Sequence, residues 1–237
     1  MTIISENYKF IFIHIPKCGG SSIEIEFEKF AKWGDFIIGS TEYGYELEKV
    51  FAQLYGIDKH SAPEKLIPLL GDKWSEYTKM AIIRHPRKII ESYYKFGKRR
   101  EREIIKNRLL TRADLLDDIN GGRKIIPHWM FNQTNGVMID AILSKDFDDY
   151  LRRVADDRWE FFFNRYVFDH GIDQIFKLED ALIIRHYMQN IIDDSFELRH
   201  ENISKSEKLV WSEDNYQIYK NLIGKLCNKL GYGLDYD

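Results

Sequence analysis

Two short apolar runs constrain this chain more than any other feature. Lys9–Ile15 (KFIFIHI) and Tyr77–Ile83 (YTKMAII) are rich in β-branched and aromatic residues, and Pro16 and Pro86 stop them. Runs of this length and composition are buried strands. Each is followed by a turn and then a helical pattern. After the first, Ile23, Phe27 and Phe30 recur at helical spacing, and Ser21 and Ser22 stand where a helix would be capped. After the second, a helix is expected over Arg87–Phe96. Two strand–turn–helix units in 237 residues predict one α/β domain over 1–237, a central parallel sheet flanked by helices.

The remaining pattern fits that frame. Helices are expected over Tyr45–Leu54, Lys98–Arg112, Asp146–Asp157, Asp180–Ile192 and Asp214–Leu230, and a strand over Gln174–Leu178. Ser61 and Pro63 read as the N-cap and first turn of another helix. Apolar residues make up 44% of the chain, enough for a sizeable core, and the net charge of −3 argues against a general nucleic-acid binder. The two cysteines, Cys18 and Cys227, form neither a disulfide framework nor a zinc-site spacing, which suits a reducing, cytoplasmic setting. Phe10–Ile15 is too short to span a bilayer or serve as a signal segment. An anchor outside this chain stays open.

The chemistry lies in the two turns. In Pro16-Lys17-Cys18-Gly19-Gly20-Ser21-Ser22 a Gly pair opens a helix. Backbone N–H groups at a helix N-terminus have no partner within the helix, and the helix dipole favours an anion there. Gly19 and Gly20 allow close approach, Lys17 adds a charge, and Ser21 and Ser22 add hydroxyl donors. The loop is a phosphate cradle of a P-loop-like scaffold, although the lysine precedes the glycines, unlike GxxxxGK[ST]. A Gly-Gly turn beside a lysine is also, by itself, an ordinary tight connection. The second turn, Arg84-His85-Pro86-Arg87, places Arg84 at a strand's carboxyl end, where open α/β sheets bind ligands, and Ser92 follows on the helix. An Arg fork and a Ser hydroxyl together suit a second phosphate.

Together these loops resemble the sulfotransferases. PKCGGSS looks like the family's 5′-phosphosulfate loop, commonly PKxGGTS, and RHPRKIIESYY looks like its 3′-phosphate loop, RxPxxxxxSxY. Lys59-His60 resembles a Gly-His or Lys-His element of the carbohydrate sulfotransferases related to the heparan 2-O-enzymes. The segments His128–Gln133, Phe176–Ala181 and His200–Lys205 and the tail Tyr219…Leu230-Gly231-Tyr232 resemble further family elements. Cys18 and Ser21 stand where threonine is common, and Ala181 where leucine is common.

The resemblance implies a donor, 3′-phosphoadenosine-5′-phosphosulfate (PAPS), bound by Lys17–Ser22, Arg84 and Ser92, with Ser204 and Lys205 closing over the 3′-phosphate and no metal required. It implies in-line transfer of a sulfuryl group to an acceptor hydroxyl, on a small molecule, a carbohydrate or a glycoconjugate. Lys17 would stabilise the leaving oxygen. His60 is the first candidate for the general base and Glu24 the second. Glu24 falls in an alternating series with Glu26 and Glu28, which also reads as a solvated helix face. Gln133 and Asn202 are candidate contacts to acceptor or nucleotide. His14 reads as a core or near-site histidine, and His85 as structural. The basic stretch Lys98–Arg112 reads as a solvated amphipathic helix before it reads as a polyanion site. Two other functions stay open: a kinase-like phosphoryl transferase, and a nucleotide-binding scaffold without activity.

Overall fold

The computed structural model describes residues 2–122, 136–198 and 209–234. The chain forms two compact units: Met1–His85 with Phe163–Ser204, and Pro86–Phe162 with Lys205–Asp237.

The first unit is α/β. Its five-stranded sheet has the order β3-β1-β2-β4-β5, formed by β1 (Thr2–Ser5), β2 (Phe10–Ile13), β3 (Phe36–Ile38), β4 (Thr78–Ile83) and β5 (Gln174–Lys177). β2, β4 and β5 run parallel, but β1 pairs antiparallel with both β2 and β3, so the sheet is mixed and not purely parallel. A tight turn joins β1 to β2 through Lys9 at φ 54°, and so short a connection forces antiparallel pairing. Asp35 fixes that turn: Oδ1 accepts the Ser5 hydroxyl at 2.9 Å and the Asn7 backbone N–H at 3.1 Å, while Oδ2 accepts the Lys32 N–H at 2.9 Å. At the other edge Asp173 accepts both the Lys79 backbone N–H and its ammonium at 2.8 Å, which starts β5 alongside β4.

Alternate residues of the sheet, Ile3, Phe10, Phe12, Ile37, Met80 and Ile82, pack on Ile23 and Phe27 of α1 (Gly20–Phe27) and on Ile184 and Met188 of the helix Ala181–Ile191. Ile4, Ile11, Ile13, Ala81 and Ile83, the intervening residues, are buried as well. Strands buried on both faces read as continuous apolar runs, which is why β2 and β4 stand out in the sequence. Two further helices follow in this unit: α2 (Glu42–Tyr55), whose N-cap Thr41 accepts the Gly44 N–H, and α3 (Pro63–Leu70). The N-cap of α3 is Ala62, because the Ser61 hydroxyl is taken by the Asp58 N–H at 2.9 Å.

The second unit is helical. One continuous helix over Pro86–Arg108 replaces the two expected over Arg87–Phe96 and Lys98–Arg112. Its basic stretch is only partly solvated: Glu101 is buried and bonds Lys98 at 3.0 Å and Arg112 at 2.6 Å. Both cations also donate to the Ser144 carbonyl, closing the end of the helix Val137–Leu143. No described helix is long and apolar enough to cross a membrane.

Gly97 marks the closest approach of these two helices, since a Cβ there would lie 2.5 Å from the Ala141 Cβ and 3.0 Å from the Met138 carbonyl oxygen. Alanine normally stabilises a helix interior by about 1 kcal/mol relative to glycine. Gly97→Ala is expected to reverse that sign and destabilise the protein by about 1–2 kcal/mol through overpacking, measured by urea denaturation. A stabilised variant would refute the close packing.

Candidate functional site

The Gly-rich turn leaves β2 at Ile13 and enters α1 at Gly20. Lys17 has φ 66° and Gly19 has φ 80°. Glycine adopts that region freely, but a lysine held there costs about 1–2 kcal/mol, so the fold strains its backbone at the one cation of the loop. The N-cap of α1 is Gly19, and no side chain caps it. Ser21 and Ser22 therefore do not cap the helix as the sequence suggested. The Ser21 hydroxyl instead accepts from Ser40 Oγ at 3.0 Å. Cys18 is buried, and burial pushes its thiol up to about 12, so it serves as packing and not as a nucleophile.

Under the loop lies a buried pair. His14 Nδ1 is 2.7 Å from Glu24 Oε1, and both side chains are closed to solvent. The Ser40 hydroxyl also bonds the Glu24 carboxyl. Glu24 is thus not on a solvated helix face. Gly20, Ile23, Glu24 and Phe27 share the inward face of α1, and this spacing was available in the sequence. Burial pushes the Glu24 carboxyl up to about 8 and holds His14 well below its ordinary 6.5. Both groups are driven toward their neutral forms. The His14 ring also sits against the backbone of the loop, because a Cβ on Gly20 would lie 2.8 Å from the ring.

His60 stands on the other side of His14. The ring centroids are 4.8 Å apart and the planes meet at 86°, an edge-to-face contact. His60 Nδ1 makes a long contact of 3.5 Å to the His14 carbonyl oxygen. A carbonyl only accepts, so this contact favours the proton on Nδ1 and the lone pair on Nε2. The turn is held from both sides, by Asp58 Oδ1 accepting the His60 N–H at 2.8 Å and by the Tyr166 hydroxyl donating to the His60 carbonyl. Burial, then His14 and Lys59, lower the His60 pKa well below 6.5, so the ring is neutral at neutral pH.

Arg84 follows β4, and its backbone N–H bonds the Cys18 sulfur, which joins the two turns. The end of β5 steadies both. Leu178 packs on Gly19, where a Cβ would lie 2.7 Å from its terminal methyl, and Glu179 Oε1 accepts the His85 N–H at 3.0 Å. His85 is buried, in keeping with a structural role.

The first unit thus brings together Lys17, Cys18, Gly19, Gly20, Ser21, Ser22, Glu24, His60 and Arg84. Ser92 belongs to the second unit, on the helix Pro86–Arg108. Gln133, Asn202, Ser204 and Lys205 lie outside the described residues. Sequence reasoning passed over Ser40, which lies in a stretch of mixed polarity without periodic signal. No family model, curated protein or solved structure matches this chain.

The buried carboxyl has a consequence in stability. The folded Glu24 keeps its proton up to about pH 8, while the unfolded carboxyl releases it near 4.5. Its contribution is complete below the lower value and is lost as pH rises through the upper one. His14 and His60, whose values are lowered, contribute stability above 6.5 that is lost as pH falls, so they do not act in the window from 6.5 to 8. The thermal midpoint is expected to drop by roughly 4 °C across that window, and Glu24→Gln to flatten the profile. Circular dichroism melts at successive pH values measure it, and a wild-type midpoint that rises with pH there would contradict the assignment.

Proposed function

We propose that this protein transfers a sulfuryl group from PAPS to an acceptor hydroxyl on a carbohydrate or similar polyhydroxy molecule. One observation carries the reading. A neutral, half-buried histidine, His60, stands one ring away from the N-terminus of α1, the kind of end that suits an anion, although the two are far apart in sequence. An anion cradle alone fits any phosphate ligand, whereas a cradle beside a candidate base fits group transfer to a hydroxyl. The likeness of both turns to sulfotransferase loops selects the sulfuryl group.

On this reading the N–H groups of Gly19, Gly20 and Ser21 and the Lys17 ammonium hold the 5′-phosphosulfate, and Arg84 serves the 3′-phosphate. The acceptor oxygen forms a bond to sulfur as the bond from sulfur to the phosphate oxygen breaks. Nε2 of His60 takes the acceptor's proton, and Lys17 balances the charge that collects on the leaving oxygen. His60 fits the role of base better than Glu24. Glu24 is wholly buried, engaged with His14, and protonated below about pH 8. A His60 pKa below 6.5 keeps the base unprotonated, so the acid limb of the rate profile falls below that value.

The test has two arms. Thermal shift is measured with the product nucleotide, 3′-phosphoadenosine-5′-phosphate, and separately with ATP·Mg²⁺. Lys17→Ala and Arg84→Ala are each expected to weaken binding of the first by about tenfold or more. His60→Ala is expected to keep nucleotide binding and to lower transfer from labelled PAPS by about 10²–10⁴-fold. A shift with ATP·Mg²⁺ alone would favour the phosphoryl-transfer reading. Nucleotide binding without turnover on a broad acceptor panel would favour a scaffold, and full turnover by His60→Ala would remove His60 as base.

A further inference from the structure

Beside the proposed transfer centre the first unit has a shallow, open cleft of about 360 Å³. Ser40, Glu42, Tyr45, Glu46, Glu48 and Lys59 line it. Two of these residues tie it to the site already described: Ser40 bonds Ser21 of the Gly-rich turn and the carboxyl of Glu24, and Lys59 precedes His60. Its wall is α2, whose first turns present an exposed tyrosine, Tyr45, between carboxylates. Lys49 lies over the Tyr45 ring at 4.5 Å and pairs with Glu46 at 2.6 Å. Glu48 is anchored differently, accepting the Lys59 backbone N–H at 3.1 Å.

The geometry points to this cleft as the acceptor subsite, and its charge to the class of acceptor: a polyhydroxy compound without acidic groups, such as an uncharged or amino-bearing sugar. This deepens the sulfotransferase reading and rests on it. Three carboxylates and one ammonium line the cleft, and with Lys49 paired to Glu46 the balance stays acidic by one charge. Carboxylates accept hydrogen bonds from sugar hydroxyls and attract ammonium groups, and they repel carboxylate or sulfate groups on a polyanion. Lys49 covers one face of the exposed Tyr45 ring, and the other face can take the C–H side of a sugar. The acceptor's hydroxyl then approaches His60 from the Lys59 side, while the donor occupies the Gly-rich turn beyond Ser40.

The experiment measures direct binding to the full chain, at low salt and without nucleotide, of three probes: maltotetraose, a chitosan tetrasaccharide and a hyaluronan tetrasaccharide. The uncharged and amino sugars are expected to bind about tenfold or more tightly than the acidic one, because exposed charges act strongly at low ionic strength. The double variant Glu42→Lys/Glu46→Lys is expected to invert that order. Equal or tighter binding of the hyaluronan fragment, no binding by either non-acidic sugar, or an order that survives the charge reversal would overturn the inference. Titration with 3′-phosphoadenosine-5′-phosphate on the same protein separates the two readings. A failed nucleotide shift with the sugar order intact removes the donor assignment and keeps the cleft. A nucleotide shift with the acidic sugar bound best does the reverse.

Discussion

The imidazole of His14 lies against the backbone of Gly20, and no side chain larger than hydrogen fits between them. The contact sets where α1 begins relative to β2, and hence where the N–H groups of its first turn point. It also fixes His14 itself, which then meets the His60 ring at 86° and turns its Nδ1 to Glu24. A residue just past the end of a strand thus organises three separate stretches of chain: the Gly-rich turn, the Lys59–His60 turn and the inner face of α1.

Such an arrangement needs a rigid surround, because a buried imidazole and a buried carboxyl are costly unless they satisfy each other. The surround comes from the sheet. β2 is covered on both faces, so His14 extends a strand that cannot shift without moving the core. Leu178 and Glu179 add a second support from β5, one packing on Gly19 and the other holding the His85 N–H. The two turns therefore do not depend on their own sequences for their shape. They are held by a neighbouring strand end that contributes no group to the proposed chemistry.

The parallel half of the fold was legible because doubly buried strands leave continuous apolar runs, as in β2 and β4. β1 and β3 were not, at four and three residues, since so few positions carry no period and the antiparallel hairpin is set by a turn without glycine, Glu6–Lys9. Of the candidate site, the Gly-rich turn and Arg84 could be singled out from residue type and spacing, and His60 from residue type and the resemblance of Lys59-His60 to a family element. The link between them could not. His14 carries no motif, and Glu24 looked like part of a solvated alternation until the packing of Ile23 and Phe27 turned it inward. The contact of His60 with His14 spans 46 residues of sequence, and no local pattern encodes it.

The protonation of Glu24 bears directly on whether α1 can serve as an anion site. A carboxylate one turn inside the helix would place negative charge behind the N–H groups that receive the phosphate in the proposed function, and would offset the helix dipole and Lys17. Burial avoids this by pushing the carboxyl up to about 8, so that at neutral pH the group is a neutral hydrogen-bond partner for His14 and Ser40. His14 stays uncharged for the same reason, and with no imidazolium beside it His60 keeps a lone pair to accept a proton. The desolvation that makes the pair costly to bury is thus also what keeps Glu24 from adding negative charge behind the helix N-terminus.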